Sequence, residues 1–490
     1  GWLWHLNASD VSATHNNSAS QPEGKVEKSS RQGQFIENKS VDYVPVSERH
    51  GKPHSLFTLW FCTNIAPLAV VSGAIATETF HLNVISALSA IVAGHLFGGI
   101  FLALTSAQGP KTGIPQMVQS RAQFGRYGSL LVISFTTVIY LGFFISNISL
   151  SGRVINNVIP VLPVASATIL GAVLATAIGV IGYRFIHRIN KVGAWIMGAA
   201  LLLGLTLMLS QPLPADFWQR GSMSAAGWFG TFCIGAVWQI SFSPYTSDYS
   251  RYLPADVGIA RPFWATYLGA CGGTILAFVF GMMAVSIAPA DDAMVAVRHA
   301  TGWLGPLLMI LFLVNIICHN SMNLYGAVLS LITAVQTFRP HWTPGAAVRL
   351  VVSALVLTGS ILIALAASQN FVAFFINLIL ALIAVLIPWI VINLLDFYYV
   401  NKQHYDVDAI FQADGGRYGR LNLQALLVYF AGILVQIPFI ENAFFSGPYA
   451  KLIPGVDISW IISLVVTSIA YPLFHRKYQP RLTVLPESKV

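Results

Sequence analysis

Beyond residue 54 the chain alternates long apolar runs with short polar connectors. Runs of about 17–30 residues recur, and each can cross a hydrocarbon core as a helix. Twelve are read, at 56–77, 84–106, 129–152, 161–183, 192–210, 227–245, 262–287, 304–334, 348–367, 371–395, 422–442 and 457–474. The pattern predicts an all-α polytopic membrane protein of about 12 transmembrane helices. The 304–334 run exceeds what a bilayer needs, so its helix is expected to tilt or to extend past the surface. Residues 1–54 and 475–490 read as polar tails.

Composition sharpens this picture. Charged residues make up 9% of the chain, against about 25% in a soluble domain. Hydrophobic residues make up 55%, and the mean hydropathy is +0.67. Such a chain cannot cover itself with polar surface, which excludes a soluble enzyme and a disordered protein. The net charge of +8 is better explained by a bilayer than by nucleic acid. With both ends on one side, thirteen Lys and Arg fall in the loops of that side. Only Arg153, Arg220, Arg298 and Lys451 fall opposite. The positive-inside rule therefore predicts an even number of spans, with N and C termini cytoplasmic, in a plasma (inner) membrane. Cys62, Cys233, Cys271 and Cys318 sit in apolar runs without metal-ligand or CxxC spacing, and read as packed thiols. The polar N-terminal stretch does not read as a signal peptide, and Gly1–Leu6 is set aside from the fold argument.

Two runs carry a polar interruption. The first contains Thr63-Asn64-Ile65-Ala66-Pro67, then Ser72-Gly73. The sixth contains Trp238-Gln239-Ile240-Ser241-Phe242-Ser243-Pro244. Each proline removes an amide donor and crowds the carbonyl a turn earlier. In lipid such breaks survive only where they are buried in protein or line a cavity. First and sixth are matching members of two five-helix halves, 55–210 and 227–395, with 422–474 supplying two further helices. That pairing points to a transporter with inverted repeats and a midplane site. A simple kink at each proline is the other reading.

Three motifs carry a family resemblance. Gly109-Pro110-Lys111-Thr112-Gly113-Ile114-Pro115-Gln116-Met117-Val118-Gln119-Ser120-Arg121, continuing to Phe124-Gly125, lies after the second span. Ser243-Pro244-Tyr245-Thr246-Ser247-Asp248-Tyr249-Ser250-Arg251-Tyr252-Leu253-Pro254 ends the sixth, and Asn320-Ser321-Met322-Asn323-Leu324-Tyr325 lies in the eighth. In order and spacing they resemble the purine-cytosine permease branch of the nucleobase–cation symporter-1 family, over about residues 55–475. The resemblance implies a leucine-transporter-type (LeuT-type) fold, with a 5+5 inverted repeat plus two extra helices. It implies a secondary active transporter that imports a nucleobase, purine or cytosine, by cation symport and alternating access. A vitamin, hydantoin or allantoin is the alternative cargo; a passive channel or a polytopic membrane enzyme is a distant one.

Family members hold the base between aromatic faces of helices three and six. Stacking is worth roughly 1–3 kcal/mol per base, and amides read the base edge. On this basis Trp238, Gln239, Ser241, Phe143, Tyr140, Asn320 and Asn64 are the substrate-binding candidates; packing is the alternative for Trp238, Phe143 and Tyr140, and helix–helix bonding for Gln239. Some cytosine permeases carry Gln, then Gly-Trp, on helix three. Tyr140 and Phe143 stand there instead, which keeps an aromatic face and alters the hydrogen-bond code. For the coupling ion, H+ or Na+, the candidates are Cys62, Asn64, Ile65, His319, Asn320 and Asn323. Backbone carbonyls and amide oxygens suit sodium, and a histidine suits a proton. His95 and Glu78 read as a packed histidine and an interfacial carboxylate, and Asp248 with Arg251 as a local pair or a cytoplasmic-side contact. The sequence presents no nucleophile–base pair, metal cluster or Walker A loop. The expectation is a non-enzyme without cofactor, whose partners are the bilayer and a small heterocycle and not nucleic acid.

Overall fold

The computed structural model describes residues 43–475 apart from 182, 442–444 and 454. The expected tails lie largely outside these residues. Prolines, glycines and polar caps cut the apolar runs into helices. The order is α1 (His54–Asn64), α2 (Pro67–Glu78), α3 (Val84–Ser106), α4 (Gly109–Thr112), α5 (Gln116–Phe124), α6 (Leu130–Val158), α7 (Val164–Ile181), α8 (Tyr183–Ser210), α9 (Ala225–Ile240), α10 (Ser247–Ser250), α11 (Ala260–Ile287), α12 (Ala293–Ala300), α13 (Gly305–Phe338), α14 (Ala346–Ala367), α15 (Phe371–Leu394), α16 (Val407–Phe411), α17 (Leu423–Leu434) and α18 (Ser459–Phe474). Asn83, Ser224 and Asp292 cap α3, α9 and α12 by accepting first-turn amides.

Every expected apolar run falls on a helix. The sixth and eleventh do so only in part: α9 stops at Ile240 before a 3-10 turn at Ser243–Tyr245, and α17 stops at Leu434 before one at Ile437–Phe439. Among the described residues six continuous helical stretches, one of them running from α14 through α15, are long and apolar enough to cross a bilayer, and the bent pair α1–α2 makes a seventh. Large apolar side chains such as Leu355, Leu362, Leu427 and Leu434 stand exposed, as lipid-facing residues do.

The helices form two bodies. One packs α1, α2, α3, α9 and α11 together; the other packs α6, α7, α13 and α14. Between α2 and α11 the backbones nearly touch. A Cβ on Gly73 would strike the backbone of Phe278, and one on Gly281 the carbonyl of Val70. Small residues thus let two membrane helices approach closely. Helices α15, α17 and α18 form a flank.

The stretch just before α1, read as part of a solvated tail, is instead packed. Val44 is buried and its amide donates to the Gly113 carbonyl at 2.9 Å. Arg49 donates to the Pro110 carbonyl at 2.7 Å, and the His50 amide to the Tyr252 carbonyl at 2.8 Å. One buried valine and one arginine fork supply what polar composition concealed.

Candidate functional site

The two interruptions differ in kind. In the first span α1 ends at Asn64, and the backbone extends through Ile65 (φ −83°, ψ 85°) and Ala66 (φ −138°, ψ 149°). Pro67 then opens α2, where its missing N–H costs nothing, and the axis turns by 63°. In the sixth span the backbone stays right-handed. Phe242, Tyr245 and Thr246 donate three residues back, to the carbonyls of Gln239, Phe242 and Ser243. Pro244 sits at the start of this 3-10 turn, so the expected unwinding is a tightening.

A cavity lies against both interruptions. Its wall includes Thr58, Cys62 and Thr63 of α1, and Tyr140, Phe143 and Asn147 of α6. Trp238, Tyr245 and Asp248 of the sixth span and Asn315, His319 and Asn323 of α13 complete it. The last three recur every fourth residue, so they form one polar stripe about 12 Å long. Phe143, Asn147, Trp238 and Asn315 are at most 8% exposed. Towards the ends of the chain the lining opens: Thr58, Cys62 and Met322 are half-buried and Lys191 is exposed. Residues 58–63 precede the first break, and 245–251 follow the sixth span's turn. Residues 322–329 lie in the second half of α13. If successive spans alternate in direction, as the twelve-run reading expects, all three stretches lie on the side from which α1 enters. The more exposed part of the lining lies there, while Phe143, Asn147, Trp238 and Asn315 line its buried part.

Of the expected substrate residues, Trp238, Phe143 and Tyr140 line this cavity. Phe143 meets Trp238 edge to face at 5.7 Å and 75°. Tyr140 stacks on Tyr245 at 4.7 Å and 22°, and its ring covers Gly326. The other four sit behind the wall. Asn64 is fully buried: its Oδ1 accepts the Trp238 indole N–H at 3.0 Å, and its Nδ2 donates to the Trp60 carbonyl at 2.7 Å. Gln239 faces away, donating to Thr274 Oγ1 at 2.8 Å and lying 3.0 Å from His95 Nδ1. Adjacent residues on a helix diverge by about 100°, so Trp238 and Gln239 cannot share a face. Ser241 bonds back to the Trp238 carbonyl at 2.8 Å. Asn320 donates to the Phe144 carbonyl at 3.2 Å, which ties α13 to α6.

Among the cation candidates, Cys62, His319 and Asn323 line the cavity, whereas Asn64, Ile65 and Asn320 are buried beside it. The sequence reading did not select Asn147, Asn315, Tyr245 or Lys191 as site residues. Spacing held a signal for two of them: Asn147 lies one turn beyond Phe143, and Asn315 one turn before His319. Asp248, expected to form a local pair with Arg251 or a cytoplasmic-side contact, lines the cavity and accepts the Gln116 amide at 3.0 Å.

From Gln116 a chain of buried amides leads away from the cavity. Gln116 donates to Gln108 at 2.9 Å, Gln108 to Asn393 at 2.8 Å, and Gln123 to the Tyr405 hydroxyl at 3.0 Å. Tyr405 and Tyr471 each donate to Asp396 at 2.5 Å, with Asn401 at 3.1 Å. This buried carboxylate is held by converging donors.

An all-helical, multi-pass membrane protein of the LeuT type is what this arrangement defines. The structure superposes on the inward-facing conformation of Mhp1 with a TM-score of 0.70 at 19% identity, covering 88% of this chain and 92% of that one. It also superposes on the closed conformation of Mhp1, a nucleobase-cation-symport-1 family transporter with bromovinylhydantoin bound. There the TM-score is 0.69 at 18% identity, covering 90% and 96% of the two chains. The family described as permease for cytosine/purines, uracil, thiamine, allantoin matches residues 43–463, and the chain belongs to it. It is 35% identical over 441 residues to YxlA of Bacillus subtilis (strain 168), named as a candidate purine-cytosine permease. That match covers 89% of this chain and 95% of YxlA.

Proposed function

We propose that the protein imports a nucleobase, a purine or cytosine, or a related planar heterocycle by cation symport. One observation carries this reading. A cavity at the broken first span presents aromatic faces, Phe143 and Trp238, beside the carboxamides of Asn147 and Asn315. A flat ring gains by stacking on the first pair, and its donors and acceptors are met by the second. The names of the relatives support the same cargo class.

The open side is the cytoplasmic one in this reading, because the positively charged loops share it, and the membrane is the plasma (inner) membrane. The structure then corresponds to the state that releases cargo. The coupling ion is a proton or a sodium ion. His319 serves the first and the oxygens around Cys62 and Asn323 the second. Uptake of radiolabelled adenine, hypoxanthine, cytosine and allantoin into proteoliposomes tests this under an imposed proton gradient, a sodium gradient or none. Gradient-driven accumulation of one of them is expected, and the effective gradient names the ion. A flux that never saturates with substrate marks a channel instead.

A further inference from the structure

Opposite the cavity mouth, one guanidinium joins three elements. Arg153 lies near the end of α6. Its Nη1 is 3.8 Å from Oδ2 of Asp292, and its Nη2 donates to the Ser368 carbonyl at 2.9 Å. Its planar face lies 5.5 Å from the centre of the Phe371 ring. Asp292 is the N-cap of α12, with Oδ1 accepting the Met294 amide at 2.8 Å. Arg298 of α12 reaches back to the Asn157 carbonyl of α6 at 3.4 Å. Ser368 and Phe371 form the join between α14 and α15.

The position of α12 gives these contacts meaning. It is the connector from α11 in one helical body to α13 in the other, and it packs on α6 at the end of that helix away from the half-exposed cavity lining. A movement of one body against the other at that end would part α12 from α6. The Arg153 and Asp292 side chains are about a quarter exposed, at 25% and 26%. Water screens such a pair, so it biases an equilibrium without freezing it.

We propose that Arg153 is the clasp of an outer gate. It holds α12 and the head of α15 against α6 while the cavity is open towards the chain ends, and it releases when the cavity opens the other way. The proposal rests on the alternating-access reading above, but its test needs no substrate.

The protein contains its own reporter. Cys62 lines the cavity and is half-buried, whereas Cys233, Cys271 and Cys318 are buried. The full chain, purified in detergent, is labelled with a water-soluble maleimide, and the rate at each cysteine is read by mass spectrometry. A second reporter, Val297→Cys in a Cys62→Ser background, probes the buried face of α12. Arg153→Gln removes the charge, while Asp292→Asn keeps the capping oxygen and removes the ion pair. In both variants the rate at Cys62 is expected to fall and the rate at Val297→Cys to rise. The ratio of the two should shift by about fivefold or more, the lower end of typical conformational coupling. A variant that merely loosens the fold speeds labelling at both positions and exposes the three buried cysteines, and that pattern overturns the clasp. So does an unchanged ratio. Failure of base uptake with a shifted ratio would remove the cargo assignment and leave the clasp standing.

Discussion

The indole N–H of Trp238 donates to Oδ1 of Asn64 across 3.0 Å. Trp238 belongs to the sixth span and Asn64 is the last residue of α1 before the extended step. The aromatic wall of the cavity is therefore hung from the break of the first span. Phe278 also packs edge-on against the same indole, at 5.5 Å.

Asn64 should act on substrate through Trp238. Asn64→Leu leaves a buried indole N–H unmet, at about 1–3 kcal/mol. We expect substrate affinity to fall about tenfold, the counterpart of about 1.4 kcal/mol. Trp238→Phe lacks the N–H, so adding Asn64→Leu to it should cost much less. A double-mutant cycle on ligand affinity checks this, and strictly additive losses would break the link.

Gln239 is expected to matter for stability and not for affinity. It joins α9 to α3 and α11 in a fully buried setting. Gln239→Ala should destabilise by roughly 2 kcal/mol, from lost amide bonds and a small void. Substrate affinity should stay within about twofold. Thermal unfolding with and without ligand separates the two effects. Weak binding at unchanged stability would return Gln239 to the cavity wall.

Two glycines should respond differently to the same added methyl group. In Gly281→Ala the new Cβ meets the Val70 carbonyl, which has nowhere to go, so yield of folded protein should collapse. In Gly326→Ala it meets the ring of Tyr140, a side chain that can turn. We expect that variant to fold and to carry altered substrate affinity, because the Tyr140–Tyr245 stack must shift. Size-exclusion profiles and ligand titration decide both; a well-folded Gly281→Ala would contradict the close approach.

Asp396 anchors the amide chain. Asp396→Leu removes the carboxylate to which the Tyr405 and Tyr471 hydroxyls donate and should destabilise by about 3 kcal/mol or more. Asp396→Asn keeps an acceptor and should cost less. Comparing unfolding midpoints of the two variants tests whether hydrogen bonding, rather than volume, holds this junction.

Much of the fold was legible because lipid leaves few options. Long apolar runs become helices, and Pro67 after Thr63–Ala66 marks a true break. Pro244 misled in degree: a proline at the start of a 3-10 turn tightens the chain without opening it. The site was legible as a set of helices and only partly as side chains. Sequence places Trp238 and Gln239 next to each other; which one faces the cavity depends on helix rotation, and packing of α9 on α3 and α11 decides that. Likewise Asn320 was preferred to Asn315 by motif, yet Asn315 shares the face of His319 and lines the cavity. Lys191 enters from a helix that no motif marked.

Backbone bonds from Val44 and His50, with the Arg49 fork, staple the entry of the first span to the 109–113 loop and to Tyr252. The segment that leads into α1 is therefore tied down up to His50, three residues short of the helix. An outward swing of α1 at the mouth of the cavity would have to turn at Gly51–Pro53 or carry this segment with it. We expect the entry segment, the 109–113 stretch and the end of the sixth span to travel as one block, so that a fluorophore pair placed across any two of them keeps a constant separation through the transport cycle.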